Sequence, residues 1–133
     1  MIEATVNWAQ QDQFIGVALS HHAIVVDAGK EKSANSPVEL VLIALAGCTA
    51  SDVVSILRKK REPFTAVEVQ AKGERATEHP TVFTEIHVTY RVRGKVAQKA
   101  MEDAVRLSKE KYCSVSAMLE KTAKITHTIE YAE

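Results

Sequence analysis

Ser36-Pro37-Val38-Glu39-Leu40-Val41-Leu42-Ile43-Ala44-Leu45-Ala46-Gly47-Cys48 is the stretch around which the chain is organised. Ser36 suits a helix N-cap and Pro37 the first helical position. Glu39 falls three residues after Ser36. That spacing is a capping box: the serine oxygen accepts one orphan backbone N–H and the glutamate reaches back to another. The run Leu40 to Cys48 is apolar throughout. The spacing predicts a helix from Pro37 to about Arg61, stopped by Glu62-Pro63. From Ser51 it turns amphipathic, with Val53, Val54, Ile56 and Leu57 set against Asp52, Arg58 and Lys59. The basic run Arg58-Lys59-Lys60-Arg61 complements the negative end of the helix dipole, which explains it without a nucleic-acid partner.

Upstream, Ile2 to Trp8 alternates and reads as a half-buried strand, with Ile2, Ala4, Val6 and Trp8 on one face. Phe14 to Leu19 and a segment around Ile24-Val25-Val26 predict two more strands. Downstream, Phe64 to Arg75 and Val82 to Arg93 alternate. In the second of these, Ile86, Val88, Tyr90 and Val92 face one way and Glu85, His87, Thr89, Arg91 and Arg93 the other. Lys95 to about Lys111 is helical in pattern. Tyr112-Cys113-Ser114 interrupts it before a short helix carrying Val115, Met118 and Leu119. Ile125 to Tyr131 is a last strand. The order β-β-β-α-β-β-α-α-β places strands in hairpins, which predicts an α+β fold with mainly antiparallel sheets around a long central helix. Residues 1–133 fit one domain. A helix apolar on several faces is hard to bury with one sheet from a chain this size, so a homodimer is expected.

Lys+Arg and Asp+Glu both number 17, so the formal net charge is zero. That excludes the electrostatic footprint of a nucleic-acid binder. No apolar run reads as a membrane span, and Met1-Ile2-Glu3-Ala4 lacks the pattern of a signal peptide. The expected location is the cytoplasm, where cysteines are catalytic, sensing or metal-binding more often than structural. No C-x-x-C occurs, and His21, His22, His79, His87 and His127 show no ligand spacing, so neither a metal nor a cofactor is expected.

The two cysteines, Cys48 and Cys113, stand 65 residues apart. Cys48 is twelve residues past the N-cap. The dipole helps a thiolate only near the first turn, so alone this residue reads as a small core hydrophobe. Cys113 opens a short helix beside Lys109 and Lys111, a setting that favours a thiolate. Spacing leaves a redox pair, two metal ligands and two unrelated core residues all open.

Ser36 to Leu40 leading into Ala46-Gly47-Cys48-Thr49, together with Glu110-Lys111-Tyr112-Cys113-Ser114-Val115, resembles the OsmC/Ohr superfamily of osmotically inducible and organic-hydroperoxide-resistance proteins. Val53-Val54-Ser55-Ile56-Leu57-Arg58-Lys59-Lys60 and Met118-Leu119-Glu120-Lys121 resemble its YhfA-like branch. The resemblance spans essentially the whole chain. It implies an intertwined α+β homodimer with two interface sites, each holding a catalytic cysteine pair. Cys48 would attack a small hydrophobic peroxide, Cys113 would resolve the sulfenic acid as a disulfide, and an external dithiol would reduce it. The family's peroxidases also pair an arginine near the N-terminal strands with a glutamate ten residues before the first cysteine. Here that position is Val38, and the first arginine of the chain is Arg58. Lys30, Lys32, His21, His22 or a partner-subunit cation would have to stand in. The alternative is a non-peroxidase protein that binds a lipophilic ligand in the same pocket or senses redox state. A scaffold with core cysteines is the third reading.

Overall fold

The computed structural model describes residues 1–133. Two compact units divide the chain, Met1–Val41 and Leu42–Glu133. The first holds an antiparallel meander of β1 (Ala4–Gln10), β2 (Gln13–Ala18) and β3 (Ala23–Asp27), in that spatial order. Val6 pairs with Gly16 and Gly16 with Ile24, while Trp8 pairs with Phe14 and Phe14 with Val26. The apolar residues therefore share one face, as the alternation predicts. That face is not half-buried, however: Val6 and Trp8 are 60% and 68% exposed. Ala4, Val6, Phe14, Ile24, Pro37 and Leu40 line an apolar groove of about 660 Å³. A three-stranded sheet with one helical turn beside it has no second layer to cover such a face.

Asp27 closes the meander. It is 4% exposed, and its carboxylate accepts from the Gly29 amide at 2.8 Å, the Ser33 amide at 2.9 Å and the Ser33 hydroxyl at 2.7 Å. These bonds, the Ser33 amide foremost, hold its carboxyl below the usual range.

α1 runs from Pro37 to Lys59. Its capping box is formed as the spacing predicts, with the Ser36 amide donating to Glu39 at 2.9 Å and the Glu39 amide to the Ser36 hydroxyl at 3.2 Å. The residues it buries are Leu45, Thr49, Val53, Ile56 and Leu57, a single stripe at helical spacing. Ile43 is 53% exposed. One 18-residue window of α1 has a mean hydropathy of 2.1, long and apolar enough to cross a membrane by length and composition alone. Only 28% of that window is buried. What marks α1 as a core helix is its buried stripe, which carries a threonine bonded to the second sheet.

The second unit sets β4 (Phe64–Arg75), β5 (Phe83–Gly94) and β6 (Lys124–Ala132) in the order β4-β5-β6. β5 is central, and Ile86, Val88, Tyr90 and Val92 are all buried, as their alternation requires. On its other face Arg91 bonds Glu130 at 3.0 Å and Glu68 at 3.2 Å. Gly94 ends the strand at φ +110°, where an added Cβ would run into the Pro63 carbonyl. β4 and β5 are antiparallel, but β5 and β6 are parallel. The connection between them is a helical crossover, which a hairpin cannot provide.

That crossover departs from one long helix over 95–111. α2 covers Gln98–Leu107, a π turn covers Ser108–Tyr112, and α3 covers Ser114–Leu119. Met101, Ala104, Val105 and Ser108 form the buried stripe of α2 and its extension. In α3 the buried residue is Ser116, whereas Met118 is 68% exposed. The basic run ends α1 as expected, and Lys60 pairs with Asp103 of α2 at 3.6 Å.

Asp27 supplies a test. A carboxyl held low in the folded chain stabilises it above the unfolded value of about 3.9 and loses that contribution as pH falls through the folded value. Asp27→Asn is expected to lower the urea midpoint at neutral pH. Its deficit against wild type should shrink as pH falls through the folded value of Asp27, below which the wild-type side chain is uncharged as well.

Candidate functional site

The site lies within the second unit, where α1 meets the π turn. Cys48 and Asp52 are one turn apart on α1, so both project from the same face. Cys113 arrives from the other direction. In the π turn the Cys113 amide donates to the Ser108 carbonyl at 2.7 Å, a bond spanning five residues. The wider turn leaves Cys113 extended, at φ −78° and ψ 99°, as the N-cap of α3. Its sulfur accepts from the Ser116 amide at 3.3 Å, and its carbonyl accepts from the Ser116 hydroxyl at 3.1 Å. The result brings together the Cys48 sulfur, an Asp52 carboxylate oxygen and the Cys113 sulfur, all within 4.8 Å of one another. Both cysteines are free thiols; Cys48 is half-buried, and Cys113 is 3% exposed.

Behind the sulfurs runs a chain of hydrogen bonds that spacing did not reveal. Tyr90 on β5 and Thr49 on α1 share a bond of 2.8 Å, and Thr49 shares another of 2.8 Å with Ser108. Ser108 donates to Asp52 at 2.8 Å. Thr49 and Ser108 are 3% and 0% exposed. The available signal was a hydroxyl at a core-facing helical position in each case: Thr49 in the stripe Leu45–Thr49–Val53, and Ser108 in the stripe Met101–Ala104–Ser108. Burial, above all, pushes the Tyr90 phenol up, and the charges of Cys113 and Asp52 act in the same direction.

The expectation of a thiolate at Cys113 is reversed. Burial is the largest influence on its thiol and pushes it up; the Ser116 amide pulls it down, and Cys48 pushes it up again. No lysine or arginine is among the groups that move it. Neighbouring lysines in the sequence are turned elsewhere: Lys109 reaches the Ile125 carbonyl at 3.4 Å, and Lys111 lies 5.4 Å from the Tyr112 ring centre. A cation helps a thiolate only where it faces the sulfur.

Four residues named as stand-ins for the missing arginine belong to the first unit. Lys32 pairs with Glu39 at 3.5 Å, and Glu39 is held in the capping box. His22 lines the apolar groove of the first sheet. His87, on the polar face of β5, bonds Thr126 at 2.6 Å and Thr128 at 2.8 Å, a structural role in keeping with its strand position.

Comparison with known proteins bears on this arrangement. The model of the family described as OsmC-like protein matches residues 29–128. The chain belongs to the OsmC-like family. Protein YhfA of Escherichia coli strain K12 is 44% identical over 130 residues, covering 97% of both chains. The crystal structure of a hypothetical protein from Aquifex aeolicus VF5 superposes with a TM-score of 0.86 at 32% identity, over 100% of this chain and 98% of that one. An organic hydroperoxide resistance protein from Elizabethkingia anophelis shares the fold, with a TM-score of 0.73 at 16% identity over 98% and 96% of the two chains. Among OsmC-like proteins, then, this one is an α+β chain with its two cysteines brought together.

Thr49 gives the test of the bonded chain. Thr49→Val keeps the shape but leaves the buried Tyr90 hydroxyl without its partner. The expected loss is about 1–3 kcal/mol in urea unfolding, with Thr49→Ser close to wild type.

Proposed function

We propose that this OsmC-like protein reduces organic hydroperoxides with Cys48 as nucleophile and Cys113 as resolving thiol. The observation that carries the reading is the convergence of two free sulfurs within 4.8 Å. Closing that gap to a disulfide, about 2.05 Å, calls for side-chain rotation within the site. Cys48 takes the attacking role because it is the half-buried one; Cys113, almost fully buried, awaits the intermediate.

The reaction balances in three steps. The Cys48 sulfur, having given up its proton, attacks the outer peroxide oxygen. The O–O bond breaks, the leaving alkoxide takes a proton to become the alcohol, and Cys48 is left as a sulfenic acid. The Cys113 sulfur then attacks the Cys48 sulfur, an S–S bond forms, and hydroxide leaves to be protonated to water. An external dithiol returns both thiols by exchange and is itself oxidised to a disulfide. The family resemblance supports a small hydrophobic peroxide as substrate and a cytoplasmic setting.

A second reading has its own support. No lysine or arginine moves the Cys113 thiol, and Asp52 has no ion-pair partner. A site without a fixed cation also suits a redox sensor, or a protein that binds a lipophilic ligand.

Cumene hydroperoxide consumption with a dithiol reductant separates the two readings. Wild type should turn over repeatedly, Cys48→Ser should fall to the no-protein background, and Cys113→Ser should stop after one equivalent. Oxidation of wild type to a Cys48–Cys113 disulfide without turnover by any dithiol would favour the sensor.

The exposed apolar face of β1–β3 and the outward Ile43 of α1 support a homodimer in which a second copy covers them. Light scattering at micromolar concentration should report a dimer; a folded monomer would refute that part of the proposal.

A further inference from the structure

We infer that the reduced protein holds a thiophilic divalent cation, of the zinc type, between Cys48, Asp52 and Cys113. The site is the one described above, but the inference stands on its ligand geometry and does not depend on peroxide chemistry. Two sulfurs and one carboxylate oxygen converge within 4.8 Å. Ligands about 2.0–2.3 Å from a tetrahedral zinc ion lie roughly 3.3–3.8 Å apart, so closing the set requires adjustments on the order of 1 Å. Cys48 and Asp52 offer two ligands from one rigid helix turn, and Cys113 adds the third from the N-cap of α3. Three protein ligands leave a fourth position for water or another donor.

Two further observations favour a cation here. The ligand groups are already held by outer partners. Ser108 donates to Asp52 at 2.8 Å and is itself fixed through Thr49 to Tyr90, and the Ser116 amide donates to the Cys113 sulfur at 3.3 Å. Such outer hydrogen bonds are what orient metal ligands. The charge balance points the same way. Two sulfurs and a carboxylate meet here, and no lysine or arginine is paired with the carboxylate: Asp52 forms no ion pair. A divalent ion would neutralise the two thiolates it creates. Sequence spacing missed the set because its third member is a carboxylate one helical turn after Cys48, rather than a cysteine or histidine.

The disulfide form cannot bind the ion in this way. When a hydroperoxide takes both thiols to a disulfide and is reduced to alcohol and water, neither sulfur remains a thiolate ligand. Binding is thus confined to the reduced protein, and oxidation releases the ion.

The test uses the reduced full-length chain titrated with Co²⁺ and Zn²⁺ alone. Co²⁺ should give a thiolate-to-cobalt charge-transfer band that saturates at one ion per chain and is displaced by Zn²⁺. Zn²⁺ should protect the half-buried Cys48 thiol of the wild type from alkylation, a reading that needs no variant. Cys48→Ser and Cys113→Ser should each lose the two-thiolate band. Ser108→Ala should weaken Zn²⁺ by about 10- to 100-fold, and Asp52→Asn by more. No charge-transfer band in wild type, undiminished affinity in Asp52→Asn, or equal binding by the disulfide form would each overturn the inference. Peroxide turnover is scored separately, so a metal-binding protein without turnover, or the reverse, shows which reading failed.

Discussion

Thr49 is the point on which the second unit depends. Its hydroxyl meets Tyr90 of β5 and Ser108 at the end of α2, each at 2.8 Å. One buried side chain thereby ties the central helix to the sheet and to the crossover. Apolar packing along Leu45, Val53, Ile56 and Leu57 drives the helix onto its neighbours but is tolerant of small rotations and slides. Buried hydroxyls are not, because each one left unmatched carries a desolvation cost. The three-way junction therefore sets the helix register, and the register decides where Cys48 and Asp52 point.

The π turn makes the matching adjustment on the other side. A regular helix through residues 95–113 would keep Ser108 in the stripe but would carry the following residues on around the helix. Widening the last turn, with the Cys113 amide bonded to the Ser108 carbonyl at 2.7 Å, allows the chain to leave the helix with Cys113 extended. Wide turns of this kind are frequent at functional sites because they re-aim one side chain at little structural expense. Here Ser108 does two jobs at once, since its carbonyl anchors the turn while its hydroxyl bridges Thr49 and Asp52.

The chemistry of the site follows from what it contains and from what it lacks. Val38 occupies the position where the family's peroxidases keep a carboxylate, and no arginine precedes Arg58. In their place stands an acidic residue, Asp52, one turn beyond Cys48, oriented by Ser108. That is a different electrostatic arrangement from a thiolate paired with arginine.

Much of this was legible along the chain. The capping box at Ser36 and Glu39, the reach of α1, the inward face of β5 and the break at Tyr112-Cys113-Ser114 all rest on interactions between residues a few positions apart. Short-range patterns carry that information directly. The motifs around Cys48 and Cys113 also pointed to the OsmC-like family. The parallel pairing of β6, the burial that pushes the Cys113 thiol up, and the meeting of Asp52 with two sulfurs were not legible. Each depends on segments far apart in sequence, such as Asp52 and Ser108, 56 residues apart. Periodicity states which face of an element is apolar. Only packing decides what that face meets, and therefore which polar groups are forced together out of water.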